Sequence, residues 1–174
     1  MRELSLFTGA GGGCLGSVLL GHTIVGAVEI EPEPCKSLYQ RQLDGIIEPF
    51  PVFNMDLREF NERVAPAYTG LVDLVSGGFP CQDISCAGKG AGIEGERSGL
   101  WSAMRDTIRI VRPGHVLVEN SPMLTVRGLG TVLGDLAALG FDAAWGVVSA
   151  ADAGAHHKRD RIWIVAHSHQ MRKL

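Results

Sequence analysis

The sequence of 174 residues predicts an α/β protein built on a mostly parallel, doubly wound sheet with helices on both faces. Two patterns predict it. Short apolar, β-branched runs alternate with segments of helical spacing, the signature of βαβ units. The residues capable of chemistry fall just past the ends of the apolar runs, where such sheets bind ligands. The length suits a single domain, residues 1–174. With 45% hydrophobic and only 20% charged residues, the chain can bury a core and is not intrinsically disordered.

The elements follow in order. Residues 3–7 are strand-like, and the glycine-rich residues 9–13 open an apolar segment reaching Leu20. Residues 23–28 are β-branched and end at Glu29. Residues 33–42 fit a helix, with Pro34 in the first turn, where its missing N–H costs little. Residues 71–76 form another strand, and 77–98 a long polar loop. Residues 101–111 carry helical spacing (Met104, Ile108, Val111) and stop before Pro113. A short strand at 116–118 precedes a helix at 131–139 that Gly140 closes. Strands at 145–149 and 162–166 complete the set.

Composition narrows the function classes. Sixteen Lys and Arg against 19 Asp and Glu give a formal charge of -3, which argues against a general nucleic-acid coat. Residues 151–174 nevertheless hold five basic and two acidic side chains and four of the six histidines. That end can serve one local anionic contact, or simply be a solvated terminus. The first residues run straight into a short apolar stretch, with no signal-peptide pattern. No uncharged run approaches the ~18–20 residues that span a bilayer. Cys14, Cys35, Cys81 and Cys86 show neither Cys-x-x-Cys nor zinc-ligand spacing, so a reducing, cytoplasmic setting and no metal are expected.

Four constellations carry chemistry. Phe7-Thr8-Gly9-Ala10-Gly11-Gly12-Gly13 turns a strand into a helix and lets backbone N–H groups meet a ligand; a tight turn without a ligand is the alternative. Glu29 ends the next strand, where a carboxylate can bind ribose hydroxyls or simply face solvent. Gly77-Gly78-Phe79-Pro80-Cys81-Gln82 puts a cysteine on a rigid loop at a strand end, which suits a thiolate nucleophile, although a lone cysteine is usually a small buried hydrophobe. Glu119-Asn120 ends an apolar strand; apolar surroundings would let Glu119 act as an acid. Arg159 and Arg161, two apart at a strand start, would point to one face and suit a phosphate and a base carbonyl.

Together these residues resemble the C5-cytosine-specific DNA methyltransferase family, in order and spacing, over residues 3–166. The Phe-Thr-Gly-Ala-Gly-Gly start is similar to its first cofactor motif, Val28-Glu29 to its second and Asn54-Met55-Asp56-Leu57 to its third. Gly78-Phe79-Pro80-Cys81-Gln82 resembles its catalytic motif, Glu96-Arg97-Ser98-Gly99-Leu100-Trp101 the next, and Glu119-Asn120 the following one. His157-Lys158-Arg159-Asp160-Arg161 resembles its Gln-x-Arg-x-Arg motif, with histidine in place of glutamine.

The resemblance implies a Rossmann-like fold of the S-adenosylmethionine (SAM)-dependent methyltransferases, and SAM as cofactor. Phe7 would stack on adenine, Gly9 and Gly11 would admit the methionine part, and Glu29 would hold the ribose. Asp56 would meet the adenine amine, and Pro80 joins the cofactor contacts. Cys81 would add to C6 of a cytosine flipped out of DNA, Glu119 would bind N3 and the exocyclic amine, Arg161 O2, and Arg159 the loop or a phosphate. Family members continue into a target-recognition region and further motifs that this sequence does not contain, so a second polypeptide supplying recognition is an expected partner. Competing expectations are a non-catalytic or weakly active subunit, an RNA cytosine methyltransferase, and a nicotinamide-dependent oxidoreductase that would leave Pro80-Cys81-Gln82 idle.

Overall fold

The computed structural model describes residues 1–80 and 99–169. Seven strands form one sheet: β1 (Arg2–Leu6), β2 (Thr23–Glu29), β3 (Val52–Asn54), β4 (Leu74–Gly77), β5 (His115–Asn120), β6 (Phe141–Ser149) and β7 (Asp160–Ser168). Their spatial order is β3-β2-β1-β4-β5-β7-β6. The first five pair in parallel, and β7 runs antiparallel between β5 and β6. The helices are α1 (Gly12–Leu19), α2 (Pro32–Leu43), α3 (Leu57–Arg63), α4 (Gly99–Val111), α5 (Leu124–Arg127) and α6 (Leu129–Ala138). None is long and apolar enough to cross a membrane.

Two buried clusters occupy the two faces. Leu4, Leu6, Val75, Val116, Val118, Ile162 and Ile164 pack with Phe60 of α3, Met104 and Ile108 of α4, and Val132 and Leu136 of α6. Each strand contributes alternate residues, as the pleat requires. On the opposite face Cys14 of α1 and Leu38 of α2 close over Ile24 and Ala27 of β2. That second layer stops at β1. Beyond it, Leu117, Val165 and Ala144 lie side by side across β5, β7 and β6, and Trp163 and Val165 remain 39% and 53% exposed. Among the described residues, one half of this face is therefore an open apolar floor.

The sequence expectations shift in several places. Strand 71–76 begins only at Leu74, because the chain first turns and offers Asp73 to Arg2, whose backbone N–H donates to Asp73 Oδ2 over 2.7 Å. Strands β6 and β7 are nine residues each, longer than the sequence pattern implied, since they zip together over their full length. The three-residue β3, helix α3 and short α5 carry too little periodicity to be read. Arg159 precedes β7 rather than standing on it.

Candidate active site

The first glycine loop is built by backbone strain and two stitches. Phe7 adopts a positive φ of 51°, uncommon for a bulky residue and worth reading as functional geometry. Gly11 caps α1 in the left-handed region at φ 87°, and a Cβ there would fall 2.5 Å from Leu38 Cδ2, so only glycine fits. Thr8 N–H donates to Val28 O over 3.2 Å, holding the loop beside β2. The N-terminus of α1 thus points into the space above the strand ends.

Glu29 is nearly buried, and its two oxygens are used: Oε2 accepts from Gly9 N over 2.7 Å and Oε1 from Glu31 N over 2.9 Å. Each oxygen keeps a further lone pair. Asn54, at the end of β3, donates from Nδ2 to the carbonyls of Glu29 and Ile30, over 3.1 and 2.8 Å. Asp56 caps α3, accepting from Arg58 N over 2.7 Å. The strand ends expected to form the cofactor site are therefore tied to one another.

The segment that follows β4 is equally fixed. Phe79 is buried against Trp101, ring centroids 5.6 Å apart. Its carbonyl accepts from Asn120 Nδ2 over 2.9 Å. Asn120, only 2% exposed, accepts in turn from Ser121 N over 2.7 Å. Pro80 is exposed at the end of this anchored segment. Cys81 and Cys86 lie outside the described residues. The two described cysteines are buried, and desolvation pushes the thiols of Cys14 and Cys35 up, which suits neither for thiolate chemistry.

Across from the glycine loop, Arg161 Nε meets Glu119 Oε1 at 2.6 Å, with both side chains about a third exposed. The apolar surround expected for Glu119 is thus replaced by a guanidinium. Glu119 Oε2 lies over Gly78, where a Cβ would approach it to 2.6 Å; glycine is required there for the carboxylate to sit. Phe7, Thr8, Gly12, Gly78, Glu119, Arg159 and Arg161 all line one open cleft of about 840 Å³. Gly9, Gly11, Glu29, Asp56 and Pro80 do not line it; Glu29 reaches it only through its bond to the glycine loop. The cleft, the glycine cradle and the helix N-terminus fit an elongated ligand with a charged end. Among the described residues no group of three or more His, Cys, Asp or Glu is placed to hold a metal ion.

The sequence reading missed the floor of this cleft. Glu3, Ser17 and Ser76 line it too. A glutamate inside the apolar run of β1 needs buried partners, but nothing local in the sequence says which residues they are.

Residues 1–174 match the family described as C-5 cytosine-specific DNA methylase. The chain belongs to this family. It is 33% identical over 174 residues to the Type II methyltransferase M2.BsuMI of Bacillus subtilis (strain 168), covering 95% of this chain and 42% of that one. It is 34% identical over 170 residues to the Type II methyltransferase M.CviJI of Paramecium bursaria Chlorella virus IL3A, covering 95% and 42%. Among solved structures, the Dnmt2 methyltransferase of S. pombe superposes with a TM-score of 0.76 at 20% identity, over 97% of this chain and 49% of that one. The fold is the Rossmann-like fold of SAM-dependent methyltransferases. This C-5 cytosine methylase chain spans about half the length of the relatives it matches.

Proposed function

We propose that the chain is the SAM-binding and catalytic part of a DNA cytosine-C5 methyltransferase. The observation that carries this is the Glu119–Arg161 pair, held at 2.6 Å on strand ends across one cleft from the glycine loop. SAM, when bound, supplies an electrophilic methyl group. Phe7, Gly9 and Gly11 form the cradle for it, Glu29 holds the ribose hydroxyls with its remaining lone pairs, and Asp56 and Pro80 border the adenine side.

Cytosine C5 is a poor nucleophile, so the residues must first make it electron-rich. The Cys81 thiolate adds to C6 of the flipped base, forming an Sγ–C6 bond and pushing the ring electrons toward C5. Glu119 holds N3 and the exocyclic amine, favouring N3 protonation as the thiolate adds, and Arg161 takes O2. Arg159 holds the loop or a phosphate. C5 then takes the methyl group, which would leave S-adenosylhomocysteine, and loss of the C5 proton to solvent lets the Sγ–C6 bond break, expelling the Cys81 thiolate and restoring the ring.

Recognition of the target sequence is assigned to protein beyond this chain, on the same or a second polypeptide. Two observations support that: the relatives are about twice as long, and the apolar floor beside the cleft is uncovered. The test is transfer of tritiated methyl from SAM to duplex DNA, with RNA as a parallel arm. Cys81→Ser should abolish transfer while Cys86→Ser leaves most of it. A Cys86 variant as dead as the Cys81 variant rejects the nucleophile; transfer to RNA alone rejects the substrate.

A further inference from the structure

A carboxylate is buried at the centre of this sheet with nothing in the proposed chemistry to explain it. Glu3 is the second of the five residues of β1, on the face toward α1, and is 1% exposed. Burying a charge there is costly unless several donors converge on it. Three do. Ser17 Oγ donates to Oε1 over 2.9 Å and Ser76 Oγ to the same oxygen over 2.5 Å, while His22 Nδ1 lies 2.8 Å from Oε2.

The partners come from three elements that each carry a piece of the site. Ser17 lies on α1, the helix whose first turn is the glycine loop. Ser76 is on β4, immediately before Gly77-Gly78 and the anchored Phe79-Pro80 segment. His22 sits in the turn that leads into β2, the strand that ends in Glu29. Glu3, Ser17 and Ser76 also form the floor of the cleft itself. An apolar residue would pack this position at less cost, so the carboxylate is doing something that packing alone does not require.

We infer that Glu3 is a positioning residue for the cofactor: through Ser17 and Ser76 it sets the spacing between the glycine-loop helix and the strand that delivers the catalytic loop. This rests on the SAM reading above. Oε1 is shared by both serines, so α1 cannot shift against β4 without breaking one of the two bonds. The cradle for the methionine part and the Pro80 end are thereby held at one separation. A methyl donor and a nucleophile tolerate little error in that distance.

The experiment compares SAM affinity by calorimetry with thermal unfolding of the same chain. Glu3→Met keeps the volume and removes the acceptor. It should weaken SAM roughly tenfold, about the loss of one well-placed hydrogen bond, while the melting temperature stays level or rises. Glu3→Gln keeps an acceptor oxygen for the serines and should recover most of the affinity. If Glu3→Met does not fold, Ser17→Ala and Ser76→Ala replace it; each leaves the buried carboxylate one donor short, so the melting temperature should fall by a few degrees, and SAM affinity, measured well below the melting temperature, should weaken severalfold. Wild-type affinity in any folded Glu3→Met variant, or in both serine variants, overturns the inference. So does a Glu3→Gln chain that binds as poorly as Glu3→Met. A wild-type chain that binds no SAM instead overturns the cofactor reading on which the inference stands.

Discussion

Glu29 ties the glycine loop to β2, and on the proposed reading the same side chain also meets the cofactor. Its oxygens already accept from Gly9 N and Glu31 N, so the loop and the carboxylate position each other. Removing it releases Gly9 and, on the proposed reading, takes away the ribose contact at once. A hydrogen bond to a charged group is worth ~1.5–3 kcal/mol, so Glu29→Ala should weaken SAM roughly tenfold to a hundredfold in calorimetry. Unchanged binding would reject the assignment. Arg161 behaves differently. Its ion pair with Glu119 is about a third exposed and contributes about 1 kcal/mol or less to stability. Its larger effect should be on chemistry, because it holds Glu119 and, in the proposed mechanism, faces the base. Arg161→Ala should therefore cut methyl transfer by roughly a hundredfold or more while leaving the melting temperature within a few degrees. A large drop in melting temperature with activity preserved per folded molecule would reverse the reading.

At the scale of elements, the ends of β1 and β4 opposite the site are joined by Arg2 and Asp73. Four bonds link them: three from Arg2 to the Asp73 carboxylate, including Nη2 to Oδ1 at 2.9 Å, and one from Asp73 N–H to Arg2 O. The side-chain and backbone bonds from Arg2 draw the Asp73 carboxyl down from 3.8 to about 2. A carboxyl lowered in the folded state adds stability above its unfolded value near 4, and that stability is lost as pH falls toward 2. Both side chains are more than 40% exposed, so solvent screening keeps the effect small. Asp73→Asn should thus be less stable than wild type in urea at pH 6, with the gap shrinking steadily as pH falls from 5 to 3. A gap that stays constant would place the stabilisation in packing. Such a contact could not be read from the sequence, because its partners are 71 positions apart. Strands β2, β5 and β7 were legible, since apolar β-branched runs are a local signal, and β1 was legible from its leucines running into the glycine loop. Phe7, Glu119, Arg159 and Arg161 were legible for the same reason. The Glu3 network was not: its partners lie 14, 19 and 73 positions away, and only the strand order unites them. Helix α3 was hidden because Asp56 drew attention as a ligand contact while it also serves as the cap.

For the molecule as a whole, the deciding features are the uncovered half of one sheet face and the charge. Trp163, Val165 and Val148 lie exposed beside the cleft, where a further layer would bury them. A net charge of -3 gives little general attraction to a polyanion. The basic segment offers few phosphate contacts: Lys158 already faces Asp160 at 3.5 Å, and Arg161 faces Glu119. With about two phosphates neutralised, log affinity should fall with log salt at a slope of roughly -2, far from that of a full DNA-binding surface. Base readout needs side chains in a groove, and no described element of this sheet is placed to supply them. The 174-residue chain alone should therefore bind duplex DNA feebly and methylate it with little sequence preference. Added protein carrying the remaining half of a relative's length should raise both affinity and site selectivity, and steepen the salt slope. The measurement is methyl transfer to a defined duplex, with the salt series run on the chain alone and with that addition. Site-specific methylation at good turnover by the chain alone would show that the described sheet and its cleft suffice, and that the open face is not waiting for a covering layer.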